Sequence, residues 1–181
     1  VALGQERIRG KFLDELVRRG EAGAARREID LVLRGCWCRD HYFGNVMNQA
    51  AQAAVLNGDF TTAEKCRQRS LFVILKTPDV FFVDLVAYMN VPHDLLVYRA
   101  RARLAAGKVD EAMAIARDVL DVTPGHIDLV SGMIPELERL GKKEQATELF
   151  DRTWKAYKKV LADYPASNFA RHALASLAAT C

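Results

Sequence analysis

The chain has 181 residues, 50% of them hydrophobic, enough to bury a substantial core within one domain. Its 26 basic and 23 acidic residues leave a net charge of +3, and that near balance argues against a nucleic-acid surface, which needs strong positive potential. No run of about 18 apolar residues is uninterrupted, so no membrane-spanning helix is expected. The closest stretch, 71–91, is broken by Lys76, Pro78, Asp79, Asp84 and Asn90.

Apolar residues recur at helical spacing along the chain. Residues 7–19 form the first predicted helix, with Ile8, Phe12, Leu13, Leu16 and Val17 on one face. A second helix covers 24–34, and 35–40 reads as a turn. Helices over 42–57 and 61–76 make the next hairpin, 91–106 and 110–122 another, and 127–140 and 144–163 the last full one. Residues 167–180 read as the first helix of a further pair. The surplus between 77 and 92 carries Phe81, Phe82, Leu85, Val86 and Met89 at helical spacing, which predicts a short inserted helix over about 79–90 that buries Phe82, Val86 and Met89. The helix from 144 continues to Tyr164 and Pro165, with Trp154, Tyr157, Val160 and Leu161 in one stripe. Pro135 is expected to kink the preceding helix or delay its start. The absence of an initial Met and the uncapped apolar pattern at Cys181 suggest a piece of a longer protein. Self-association through the last helix is expected on the same ground.

The spacing of four glycines organises these helices. Gly107 and Gly141 stand 34 residues apart, and each has alanine five places on, Ala112 and Ala146. Gly58 with Ala63 and Gly20 with Ala25 repeat the offset. Such a glycine ends the first helix of a pair, because it takes the left-handed conformation without Cβ strain. The alanine then sits where the two helices touch, so Ala112 should face Ala100 and Ala146 should face Ile134. Asp110 and Thr61 are the predicted N-caps of the second helices in their pairs. A period of this length marks a helix-turn-helix repeat.

Ala100, Gly107, Ala112 and Pro124 in one unit, Ala51, Gly58 and Ala63 in another, and Gly141, Ala146 and Phe150 in a third resemble the tetratricopeptide repeat family. Gly20 and Ala25 give the shortest match. The chain departs from the family pattern where Arg103, Ala54 and Leu137 replace a first-helix aromatic, and where the Gly141 unit lacks its terminal proline. The resemblance implies an all-α, right-handed superhelix forming a single domain over 1–181, with units at about 5–40, 41–76, 93–125 and 126–165 and a partial unit at 166–181. It also implies a non-catalytic scaffold that holds a protein or peptide in a concave groove lined by first helices. The groove positions are Asn48, Gln52, Arg101, Ser131 and His172, with Gly10, Asp14, Val97, Pro135 and Ser176 in comparable places. Some family members clamp a terminal carboxylate there, but the basic set in this chain is incomplete and that specificity is not assigned.

Chemical motifs are sparse. Cys36, Cys38 and His41 flank Trp37, and two thiolates with an imidazole can ligate a soft metal. Their spacing is neither that of structural zinc pairs nor that of a thioredoxin-like site, and no fourth ligand is evident. No metal or cofactor is therefore expected; a thiol- or metal-dependent site at Cys36, Cys38 and His41 is one alternative reading, and a nucleic-acid-binding helical repeat is the other. With Cys66 and Cys181 these cysteines do not make a secreted disulfide framework, so a reducing, cytoplasmic setting is expected. No nucleophile elbow, phosphate loop or dinucleotide fingerprint is present. Arg99, Arg101 and Arg103 invite a nucleic-acid reading, but alternate positions on a helix spread over about 200° and form no single patch.

Overall fold

The computed structural model describes residues 2–35, 41–76 and 85–180, with side chains from residue 8 onward except 32–35, 41–45, 73, 85–90 and 180. Every regular element among the described residues is a helix: α1 (Ala2–Arg18), α2 (Ala22–Gly35), α3 (His41–Leu56), α4 (Phe60–Lys76), α5 (Leu85–Ala105), α6 (Val109–Val122), α7 (Ile127–Arg139), α8 (Lys143–Asp163) and α9 (Asn168–Thr180). The chain forms two compact units, Val1–Tyr98 and Arg99–Cys181.

One turn, used four times, joins the paired helices. Gly20, Gly58, Gly107 and Gly141 all have positive φ, between 70° and 74°. In each case the glycine N–H reaches back three residues and the next N–H reaches back five. Gly107 donates to the Leu104 carbonyl and Lys108 to that of Arg103, both at 2.9 Å. Gly141 and Lys142 do the same to Glu138 and Leu137, Gly58 and Asp59 to Val55 and Ala54, and Gly20 and Glu21 to Val17 and Leu16. This pairing satisfies the carbonyls that a helix end leaves open. The alanine five residues after the glycine then makes the first hydrogen bond of the second helix: Ala25, Ala63, Ala112 and Ala146 donate to Glu21, Asp59, Lys108 and Lys142. All four alanines are buried. No atom lies within 4 Å of a Cβ built on Gly107, so a side chain there meets strain and no clash. Gly107→Ala is expected to destabilise by about 1–2 kcal/mol, the cost of an L-residue in the left-handed region, readable as a shift in urea midpoint at constant slope.

The tight turn moves the N-caps. Only one residue separates the glycine from the second helix, so the cap falls at the position after glycine. Asp59 therefore caps α4 in place of Thr61: its carboxylate accepts from the Thr62 N–H at 3.0 Å and from the Thr62 hydroxyl at 2.7 Å. Those bonds, the hydroxyl's first, hold the Asp59 carboxyl below its ordinary range. Lys108 stands at the cap of α6 without a side-chain capping bond, its ammonium donating instead to Glu111, and Asp110 sits in the first turn, where its charge suits the helix dipole. His126 caps α7 by accepting from the Leu129 N–H.

Within the first unit α1 packs on α2 and α3, α2 on α3, and α3 on α4. α1, α2 and α3 thus pack mutually, and α4 packs on its partner α3. Leu13, Ile29 and Met47 anchor this core, and four alanines of α3, at 50, 51, 53 and 54, keep that helix thin between its neighbours. In the second unit α7 packs on α8 and α9, and α8 on α9. Leu129, Met133 and Leu137 of α7 and Leu149 of α8 are fully buried. Arg117 of α6 makes a bidentate pair with Glu148 of α8 at 2.7 Å, and Arg152 of α8 pairs with Asp121 of α6. These exposed pairs set register and contribute at most about 1 kcal/mol each.

Three expectations change. α5 starts at Leu85 and runs through Pro92, so the C-terminal part of the predicted insert is continuous with the helix expected from 91. The proline costs one backbone bond, while Val91 beside it is buried against Ile74 and Leu71. Residues 79–84 and the side chains of Phe82, Val86 and Met89 lie outside the described residues. α7 starts at Ile127 with an exposed Pro135 inside it, so of the two effects expected of that proline the delayed start is absent. Of the α8 stripe, Tyr157 is buried and Val160 is exposed. The Tyr157 hydroxyl donates to the Gly125 carbonyl at 2.6 Å, and a Cβ on Gly125 would lie 3.1 Å from that ring. On α9, Ala173, Leu174 and Leu177 are covered within the chain, while Phe169 is exposed.

Candidate partner-binding face

The first helix of each pair carries the predicted groove residues. Asn48 and Gln52 lie one turn apart on α3, Asn48 half-buried and Gln52 exposed. Asp14 is exposed on α1, and Gly10 is half-buried there. Gly10 lets the Gln49 carboxamide approach α1: a Cβ at Gly10 would lie 3.7 Å from Gln49 Oε1. Sequence reading passed over Gln49, although a polar residue inside a run of apolar and small ones was a usable signal. Asn48 Oδ1 and Gln49 Oε1 are both buried without a hydrogen-bond partner. A buried acceptor left unsatisfied costs about 1–3 kcal/mol, so each of these oxygens calls for a donor from outside the chain, a water or a ligand group.

In the second unit Arg101 lies against α7. A Cβ on Gly132 would meet its guanidinium carbon at 3.0 Å, so the glycine next to Ser131 makes room for that side chain. Ser131 is half-buried, and Pro135 cannot donate to its carbonyl. His172 is exposed on α9, with its Nδ1 3.2 Å from the Ser176 hydroxyl. Val97, expected to face outward, is instead 5% exposed, as a valine follows its hydrophobic contacts.

The arginines do not make a basic patch. Arg67 is buried, paired with Asp94 at 2.5 Å and placed over the Tyr98 ring. Arg103 pairs with Glu111 at 3.3 Å. Cys36, Cys38 and the side chain of His41 lie outside the described residues. Among the described residues no three His, Cys, Asp or Glu side chains gather at metal-binding distance. Cys66 is a free, buried thiol, and burial pushes it up to about 11. In the unfolded chain a thiol ionises near 9, so stability at this group is full below that pH and is lost as pH rises toward 11. At neutral pH Cys66 should alkylate far more slowly in the folded chain than in urea, measured by peptide mass spectrometry; equal rates would contradict its burial.

No helix among the described residues is long and apolar enough to cross a membrane. No protein-family model, curated protein or solved structure matches the chain.

Proposed function

We propose that this chain is a non-catalytic scaffold of tetratricopeptide-like hairpins, coiled as a right-handed superhelix, that holds a protein or peptide along its first helices. The observation that carries the reading is the pair of orphaned amide oxygens, Asn48 Oδ1 and Gln49 Oε1, beside exposed Gln52. A buried acceptor without a partner in the chain is a place where a water or a ligand donor can bind, as are the Arg67, Ser70 and Thr153 polar atoms on second helices. In this reading half-buried Asn48 and exposed Gln52 meet the N–H groups of an extended peptide, while buried Gln49 packs toward Gly10 of α1 behind them. Arg101, Ser131 and His172 occupy equivalent positions on later first helices and supply a cation and polar contacts there. The repeated turn supports the reading further, because it fixes helix spacing independently of the residues on the outer faces.

Peptide selection from a random display library followed by calorimetry tests this. Asn48→Leu should weaken the selected peptide at least tenfold while leaving the melting temperature unchanged or raised, since it removes an unsatisfied polar group. A substitution that costs stability and spares binding assigns Asn48 to structure alone and contradicts the proposal.

A further inference from the structure

A cleft of about 120 Å³ lies in the first unit between α2, α3 and the start of α4. Its floor is apolar, made by Ile29, Ala50, Ala53 and Ala54, all buried. Its rim is polar; the neutral donors on it are already committed, while the exposed Arg26 guanidinium stands at ion-pair distance without a hydrogen bond. The Asn57 Nδ2 group donates to the Ala22 and Ala53 carbonyls. The Thr62 N–H and hydroxyl both donate to Asp59. Arg26 lies 3.8 Å from the same carboxylate. What faces a ligand is therefore mostly acceptors: the carboxylate of exposed Asp30, which has no hydrogen bond or ion pair among the described residues, and the carboxamide oxygen of Asn57.

Acceptors over a floor of methyl groups complement a primary ammonium on a short aliphatic stem. A neutral apolar side chain would desolvate Asp30 with no return. An anion would meet Asp30 and Asp59 with only Arg26 in its favour. A guanidinium brings five N–H donors to a rim with two open acceptor groups, whereas an ammonium brings three. We propose that this cleft is a second docking point, which receives a lysine side chain of a protein partner, its methylenes on Ala50, Ala53 and Ala54 and its ammonium at Asp30 and Asn57. The cleft is lined by α2, α3 and the α4 cap, so the proposal stands independently of the peptide reading at Asn48 and Gln49.

The test is an NMR titration of the ¹⁵N-labelled 181-residue chain with Nα-acetyl-lysine-N-methylamide, against the norleucine analogue, which has no ammonium. The lysine probe should give saturable shifts at the Asn57 side-chain amide and at the Asp59 and Thr62 N–H groups, with a Kd of about 1–10 mM, as suits one small fragment. Asp30→Asn should weaken it about fivefold, the scale of one exposed ion pair, and added salt should weaken it further. Failure of the lysine probe to saturate, an equal response to norleucine, or full affinity in Asp30→Asn would overturn the assignment. The lysine-to-norleucine comparison needs no variant, so it decides the matter even where Asp30→Asn fails to fold.

Discussion

Leu137→Ala is expected to lower the unfolding free energy by about 2–5 kcal/mol. Leu137 is fully buried on α7, one turn before Gly141, and its carbonyl accepts the Lys142 N–H that closes the turn. The side chain is fully buried, so removing it leaves a cavity in the core of the second unit. Neighbouring Met133, Ile134 and Leu149 are themselves fully buried or nearly so, which limits how far the site can collapse. Urea denaturation followed by circular dichroism measures the loss; a change below about 0.5 kcal/mol, the scale of surface substitutions, would place Leu137 outside the core.

Ala112→Leu is the opposite perturbation and should cost about 1–3 kcal/mol by overpacking. Ala112 and Ala100 are both 0% exposed, and Ala112 N–H makes the first hydrogen bond of α6 to Lys108 at 3.0 Å. A leucine there must push the two helices of the hairpin apart, which strains the Gly107 turn as well. The contrast with Ala114, exposed on the same helix, is internal to the design: Ala114→Leu should change stability by no more than about 0.5 kcal/mol. Equal effects at both positions would mean that the glycine-alanine offset does not mark the contact between paired helices.

The helices and their turns were legible because two independent signals agreed. Periodicity placed all ten ends of the helices expected over 42–57, 61–76, 110–122, 127–140 and 144–163 within one residue of where they lie. The glycine-alanine offset then named four left-handed glycines and four buried alanines. The N-caps were misplaced because propensity favours Thr61 and Asp110, while the two-bond glycine turn leaves room for only one residue before the next helix. The insert over 79–90 and the helix from 91 were read as separate because a proline at 92 disfavours helix interiors, and the burial of Val91 is a long-range fact that local reading does not contain. Of the candidate face, exposed Gln52 and His172 follow from register alone. The burial of the Asn48 and Gln49 amide oxygens depends on how α1 approaches at Gly10, and the room for Arg101 depends on Gly132 of a helix 31 residues away. The cleft at Asp30 joins α2, α3 and the α4 cap, and no spacing rule connects those residues.

The measurement that tests the central claim most directly is a chemical-shift map of a library-selected peptide on the labelled chain. The account predicts shifts that cluster on first helices, at Asn48, Gln49 and Gln52 of α3, or at Arg101, Ser131 and His172 of α5, α7 and α9. It predicts none at Lys65, Asp118 and Lys155, which are exposed on the second helices. Shifts confined to those second-helix positions, or a library that yields no peptide binding above background, would contradict a scaffold that reads its partner along the first helices.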